Sequence, residues 1–437
     1  MAGRVALAVL LVMALIAMLP ATSMTKGNSV KYIDGTLTNP LEAPNSPLVR
    51  VNQSIGTKFT VWYDATNSVY RAESNISGIS DSNSSSFATA LNYAITTGGN
   101  GSVRVQPATT AMTVTSKISL RDNVIVFLDK GANLKLCYDG DVFEMDDVQN
   151  GGIVGGYLYG DRASYTGSAV VIKGNSSRCI VQESYIFNFG TRGICIEENT
   201  SSYNWIMGNR IYDVVEEGIC ISRSLANRIL NNSVEKTGYH GIVVTGGNNN
   251  VITSNIVRDA GGNYVAGFAH GIAVDGNGGF NPAIGNIVAN NEIYDSYMCG
   301  IEIADHVNNT IVSGNYVDTT IDASAGYGIY AGGSKVESHN ITVIGNVVLN
   351  AADIGIFVAG TATNLTTKVI VKGNVVDGSG DDGIRFKYAT NCVAADNICD
   401  NNPGYGLALE KVANCAYILI HDNNFRNNTA GTVSLNN

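Results

Sequence analysis

A short phrase, glycine followed by apolar–any–apolar, returns nine times between Gly193 and the C-terminus. It reads GICI at Gly193 and Gly218, GIVV at Gly241, GIAV at Gly271, GIEI at Gly300, GIYA at Gly328, GIFV at Gly355, GIRF at Gly383 and GLAL at Gly406. Successive glycines lie 25, 23, 30, 29, 28, 27, 28 and 23 residues apart. A fixed phrase at an irregular period of this size marks a solenoid whose coils carry loops of different length. A second phrase, Asn–any–apolar, begins at Asn209, Asn232, Asn255, Asn291, Asn315, Asn346, Asn374, Asn397 and Asn423. Six of the eight Asn-to-Gly distances are nine residues; those after Asn255 and Asn315 are 16 and 13, which places insertions in those two coils.

Each repeat thus holds at least two short strands of period-two alternation and no helix-length apolar stripe. That pattern argues against leucine-rich and helical solenoids and predicts an all-β chain, a single-stranded parallel β-helix of about 11–12 coils. Coils stack at about 4.8 Å, so apolar positions form a continuous interior. The recurrent asparagine is predicted to bond its counterpart one rung away as an asparagine ladder.

The remainder of the chain bounds its setting. Met1–Ser23 reads as a secretion signal: Arg4 is the positive end, Val5–Leu19 is apolar, and Ala21-Thr22-Ser23 is a small-residue cleavage site. The apolar run is short of the roughly 20 residues a membrane span needs, so a secreted or cell-surface protein is expected. Export allows disulfides among the 8 cysteines. Cys195 and Cys220 hold equivalent places in consecutive phrases, and Cys392 and Cys415 each lie nine residues past their glycine. Each pair is a candidate disulfide or a stack of free thiols. Eleven Asn-x-Ser/Thr sequons, at Asn52, Asn75, Asn83, Asn100, Asn175, Asn199, Asn231, Asn308, Asn340, Asn364 and Asn427, are glycan acceptors or by-products of a composition rich in these residues. A net charge of −10 without a basic cluster argues against nucleic acid and anionic membrane. It suits a cation such as Ca²⁺, although no dedicated loop for one is present and no cysteine spacing suggests zinc.

Three segments follow: a signal (1–23), an N-terminal β/α cap (24–105) and the solenoid (106–437). In the cap, Phe59–Tyr63 and Ser68–Arg71 flank Asp64-Ala-Thr-Asn67 as a hairpin. Ser84–Ser86 then precedes Phe87, Leu91 and Ile95, a serine-capped amphipathic helix ended by Gly98-Gly-Asn-Gly101. The hairpin, the helix and the stretch GGNGSVRVQPATTAMTVTSKISLRDNVIVFLDKGANLKL (Gly98–Leu136), with the glycine-phrase coils behind them, resemble the pectate-lyase-like superfamily over nearly the whole mature chain. The resemblance implies a right-handed parallel β-helix. Its members include polysaccharide lyases, polygalacturonase-type hydrolases, uronan epimerases, viral tailspikes and non-catalytic proteins, so the fold alone transfers no chemistry.

On each rung the glycine and the second and fourth residues after it are expected outside. The middle file reads Cys195, Cys220, Val243, Ala273, Glu302, Tyr330, Phe357, Arg385, Ala408. The next reads Glu197, Ser222, Thr245, Asp275, Ala304, Gly332, Ala359, Lys387, Glu410. The glycines leave either a bare strip for a ligand or a tightly packed turn, the latter favoured. Two groups on this face carry chemistry. The first is Tyr239, His240, His270, Asp275, Glu302, Asp305 and His306. Asp275 and Glu302 fall one rung and two residues apart, roughly 8 Å, the separation of an acid/base pair spanning a glycosidic bond and a water. A His or Tyr beside a uronate is alternatively a base for β-elimination. The second group is Tyr330, Phe357, Arg385 and Lys387, as sugar platforms and carboxylate clamps, with Asp381 and Asp382. The string GDDGIRFK (Gly380–Lys387) is similar to the Asp-Asp segment of polygalacturonase-type hydrolases, which would give Asp381 and Asp382 acid and water-activating roles. That family's other two motifs are absent: Ala352-Asp353-Ile354 and Gly404-Tyr405-Gly406 stand in their places, and the Asp-Pro-His signature of alginate epimerases is missing. Two functions remain open: a secreted carbohydrate-active protein that binds, and cleaves or epimerises, an acidic polysaccharide, or a non-catalytic extracellular rod that assembles with copies of itself.

Overall fold

In the computed structural model the first residue after each repeat glycine points inward and stacks on its counterpart. Ile194, Ile219, Ile242, Ile272, Ile301, Ile329, Ile356 and Ile384 form one vertical file, continued by Leu407, in parallel register. All are fully buried. Each such side chain contributes about 1.5–3 kcal/mol of burial, repeated coil after coil. The strands that carry them form one 13-stranded sheet running from Ile118–Ser119 to Gly431–Asn436. Two further stacks of short parallel strands, one on each side of the ladder asparagine, complete every coil. The chain is therefore a parallel β-solenoid of about twelve turns, as the period predicts. The structure describes residues 32–33, 36–37, 57–75, 80–197, 200–262, 268–276, 281–411 and 415–436. The secretion signal, most of residues 24–56 and the sequons at Asn52 and Asn199 lie outside the described residues.

Contacts divide the chain into Met1–Ile55 and Gly56–Asn437. In the first unit Tyr32–Ile33 pairs antiparallel with Thr36–Leu37. In the second, the hairpin is present: Thr57–Asp64 pairs antiparallel with Val69–Ser74, and Asp64 Oδ1 accepts the Thr66 and Asn67 amides of the turn. A third strand, Ser80–Ser84, extends it. The helix spans Phe87–Gly98 with Ser86 as its N-cap and buries Phe87, Leu91 and Ile95. Its Asn92 donates to the Lys117 carbonyl at 2.8 Å and accepts the Ser119 amide at 2.9 Å. It thus satisfies backbone groups of the first strand of the 13-stranded sheet, an edge that would otherwise be open.

The asparagine ladder is present from Asn209 to Asn423. Asn255 is typical: its Nδ2 donates to Asn291 Oδ1 at 3.0 Å and to the Ile229 carbonyl at 2.9 Å, while its Oδ1 accepts the Asn232 amide at 2.9 Å. A second ladder, not foreseen, joins Asn204, Asn227, Asn250 and Asn286, each five residues before a member of the first.

The glycines serve close packing, not a ligand strip. A Cβ on Gly271 would lie 2.3 Å from Ile293 Cγ2 and 2.6 Å from the Gly300 carbonyl oxygen. Gly218 and Gly241 meet Val234 and Val257 in the same way. Replacing Gly271 by alanine is expected to cost about 3 kcal/mol, because both neighbours are fixed by the coil above. Thermal melting of the variant checks this, and an unchanged midpoint would contradict the packing assignment.

Candidate functional site

The outer files stand as the period predicts. Ala273, Glu302, Tyr330, Phe357, Arg385 and Ala408 face one another across successive rungs. Asp275 pairs with Ala304, which sets Asp275 one rung and two residues from Glu302. The two groups distinguished in the sequence therefore share one strip. A further file lines its edge. The residues just before the glycines, Arg192, Glu217, His240, His270, Cys299, Tyr327, Ile354, Asp382 and Tyr405, stack because each glycine amide donates to the preceding-glycine position one coil on.

At the centre, His240 and His270 stack with ring centroids 5.1 Å apart and planes 8° apart. His240 Nδ1 accepts the His270 amide at 3.2 Å, and His270 Nδ1 accepts the Cys299 amide at 3.1 Å. Two backbone donors thus place the proton of each neutral imidazole on Nε2. His270 Nε2 lies 3.2 Å from Glu302 Oε2. Burial lowers both imidazoles to about 3; the neighbouring His270 adds to the effect on His240, and Glu217 opposes it. Burial raises Glu302 to about 7, with Asp305 adding and Lys335 opposing. The Glu302 side chain keeps 21 % exposure, so it is both desolvated and reachable. This is the signature of a carboxyl that holds a proton near neutrality.

The other members of the first group are arranged around that centre. Asp305 is buried, and its Oδ1 accepts the Ser334 and Lys335 amides at 2.7 and 2.8 Å, so it fixes the loop that brings Lys335 alongside. His306 follows it in a left-handed turn. Tyr239 is half-buried beside the Glu216 coil, its amide bonded to the Glu216 carbonyl.

Beyond Glu302 the strip becomes aromatic, then charged. Tyr327 packs on Tyr330 at 5.8 Å and edge-on to Phe357 at 4.9 Å. Phe357 is itself buried, so it backs the two tyrosines and is not the open sugar platform expected from its outward position. Arg385 bonds Asp381 and Asp382, with its Nε 2.6 Å from Asp382 Oδ2, and Lys387 Nζ lies 2.7 Å from Glu410 Oε1. Both cations expected to hold uronates are thus already engaged by protein carboxylates. Asp382 is almost fully buried and also accepts the Tyr405 amide at 2.7 Å. Burial raises it, and raises Asp353 of the preceding coil to about 6, where Arg385 opposes and Asp381 and Asp382 add. Asp381, Asp382, Arg385, Tyr405 and Glu410 line an open groove of about 410 Å³.

At the other end, Arg192 joins Glu197, Glu216 and Glu217. Cys195 and Cys220 are opposite one another in register, buried, and held as free thiols. Cys392 and Cys415 do not share a file. Lys387 pairs with Glu410 but Thr390 with Ala416, so the later coil carries three extra residues and Cys392 falls opposite Ile418. Among the described residues no cluster of His, Cys, Asp and Glu has metal-site geometry, and no helix is long and apolar enough to cross a membrane.

The two desolvated histidines, His270 buried and His240 half-buried, and Glu302 pull stability in opposite directions with pH. The neutral imidazoles contribute fully above their unfolded value of about 6.5, a contribution lost as pH falls toward 3. Glu302 contributes most below its unfolded value near 4.5, and this is lost as pH rises through about 7. Between pH 6.5 and 4.5 acidification thus costs stability through the two imidazoles and returns it through Glu302 and through Asp353, raised to about 6, with Asp382, Glu216 and Asp259 raised as well. The imidazole contribution is isolated by comparison: on acidification through that window His270→Gln is expected to lose less melting temperature than the parent, or to gain more. The same pH slope in parent and variant would refute a desolvated neutral imidazole at position 270.

No curated protein sequence matches the chain. Among solved structures it is similar to the Dettilon tailspike protein gp208 (TM-score 0.56, 14% identity), covering 80% of this chain and 65% of the tailspike. The chain thus spans less than two thirds of that protein. It is also similar to the A-module of the Azotobacter vinelandii mannuronan C-5 epimerase AlgE6 (TM-score 0.51, 13% identity, 80% of this chain and 95% of the module). The Streptococcus pneumoniae surface protein and adhesin PfbA gives TM-score 0.51 at 12% identity, with 80% and 95% covered. At such identities the likeness is one of fold, and it agrees with the pectate-lyase-like resemblance of the sequence. The profile of the right-handed β-helix region matches residues 162–317 and 270–437, more than half of the chain. On that match and on the register of its coils, the protein belongs to the right-handed β-helix family.

Proposed function

We propose that the protein is a secreted or surface-exposed carbohydrate-active β-helix protein that binds a polysaccharide along the strip from His240 to Glu410 and cleaves it at Glu302. The carrying observation is Glu302 itself: a carboxyl raised to about 7, 3.2 Å from a tautomer-fixed His270, with part of its surface open. Protonated, it donates to the glycosidic oxygen as the C–O bond breaks. Asp275, on the preceding rung, accepts a proton from the water that adds to the anomeric carbon, the inverting arrangement. His270 orients the carboxyl from below. Tyr330 lies on the next rung, where a neighbouring sugar ring would rest.

The substrate follows from charge. Around Arg385 and Lys387 stand Asp353, Asp381, Asp382 and Glu410, so the far end is net acidic. A uronate polymer would bind there only with a divalent cation such as Ca²⁺ shared between its carboxylates and these. Purified protein is to be incubated with alginate, polygalacturonate and neutral glucans, with and without Ca²⁺, while reducing ends and the absorbance of unsaturated products are followed. Reducing ends from a uronate polymer in Ca²⁺ support the proposal. Unsaturated product in their place moves the chemistry to β-elimination; no product from any polymer removes the catalytic reading.

A non-catalytic rod is favoured by a different observation. Among the described residues the strand Gly431–Asn436 pairs on one side only, and its Leu435 is more than half exposed. Such an edge suits end-to-end assembly. Concentration-dependent filaments in sedimentation and electron microscopy, without turnover, would support this reading.

A further inference from the structure

The face that precedes the glycine corner carries a second aromatic surface, toward the N-terminal end of the solenoid and outside the strip described above. Two neighbouring files pass through it. In one, Tyr157 stands under Tyr185 and Tyr185 under Arg210; in the other, Lys135, Tyr159, Phe187 and Tyr212 succeed one another. Ring centroids are 5.5 Å apart for Tyr157 and Tyr185, 4.9 Å for Tyr159 and Phe187, and 5.3 Å for Tyr185 and Phe187. The four rings form one contiguous patch, and Tyr157 is 40% exposed.

Cations border the patch at both ends. Lys135 Nζ lies 5.5 Å from the Tyr159 ring, and the Arg210 guanidinium 5.4 Å from the Tyr185 ring. Lys236 Nζ lies 5.2 Å from the Tyr212 ring and 2.9 Å from its hydroxyl. The solenoid does not demand aromatic residues here. One and two coils further on, the same files hold Ser233 and Glu235, then Ile256 and Arg258, in unbroken register. Cross-strand stacking alone contributes only about 0.2–1 kcal/mol per pair. Five aromatic residues gather over three coils; after two coils without any, the same files carry only Tyr294 and Tyr316, with Arg258 over the Tyr294 ring, so the N-terminal patch is the larger of two on this face.

We propose that this patch is a saccharide-binding platform for a carboxylate-bearing polysaccharide, separate from the Glu302 strip. The C–H faces of pyranose rings would lie on Tyr157 and Tyr185, advancing one file position per rung of about 4.8 Å. The carboxylates would meet Arg210 and Lys236 at one end; Lys135 at the other is already paired with Asp161 at 2.9 Å and serves to hold the Tyr159 ring. The platform holds polymer whether or not Glu302 acts on it, so the two assignments fail separately.

Affinity electrophoresis through gels containing alginate or polygalacturonate tests it on the whole protein. Wild-type protein is expected to be retarded. The Tyr157→Leu/Tyr185→Leu variant, which keeps apolar bulk, should bind about tenfold more weakly with unchanged far-ultraviolet circular dichroism. Should that variant misfold, the exposed Arg210→Gln replaces it, with weaker retardation and a shallower salt dependence expected. Glu302→Gln should be retarded like wild type even if turnover is lost. Wild-type protein that runs unretarded in both polymers, or folded platform variants that bind as wild type does, would overturn the platform.

Discussion

Replacing Asn255 by leucine is expected to destabilise the solenoid by about 3–6 kcal/mol. The carboxamide bonds the Asn232 amide, Asn291 Oδ1 and the Ile229 carbonyl, all in the interior. Leucine keeps the volume and removes every one of those partners. Each buried polar group left unmatched costs about 1–3 kcal/mol. The effect spreads, because a coil is stabilised only by the coils on either side of it. Urea unfolding should show an earlier midpoint, and hydrogen exchange should rise first in the coils around residues 232 and 291. A variant as stable as the parent would show that the ladder is incidental to the fold.

The second large effect concerns Glu302. If it delivers the proton to the leaving oxygen, Glu302→Gln keeps the shape and hydrogen-bonding reach of the side chain and loses the proton. Turnover should fall by about 10²–10⁴ with polymer binding preserved. In the parent protein the protonated carboxyl is the active form, so the rate should decline about tenfold per pH unit above about 7. His270→Gln should shift that descending limb, since His270 contacts the carboxyl without touching substrate. A pH profile that rises through 7, or an E302Q protein of parental rate, would assign the proton to another group.

These residues also show what a sequence discloses about such a fold. The isoleucine file, the ladder and the glycine turns are legible because a stacked interior admits one residue type per position and repeats it. The second ladder was equally accessible: Asn204, Asn227, Asn250 and Asn286 keep a constant offset of five from the first. The file before the glycines was hidden for the opposite reason. Its members run from Arg192 through His270 to Ile354, and only their position is periodic. The contact of His270 with Glu302 and the cover of Tyr327 over Phe357 depend on that file. Phe357 is outward by count yet buried, because Tyr327 arrives from the neighbouring coil to cover it. Cys392 and Cys415 match by distance from their glycines yet not in space, because three residues are added between the rungs. Counting along the chain fixes which way a side chain points; what lies over it is set by loops whose lengths vary.

The most direct test is a crystal structure of Glu302→Gln with a uronic-acid hexasaccharide and Ca²⁺. The account predicts the sugar chain along the strip, a glycosidic oxygen within hydrogen-bond distance of the residue 302 amide, and a water between Asp275 and the anomeric carbon. A saccharide bound only on the Tyr157–Tyr185 patch, or lying on the strip with no atom near residue 302, would contradict it.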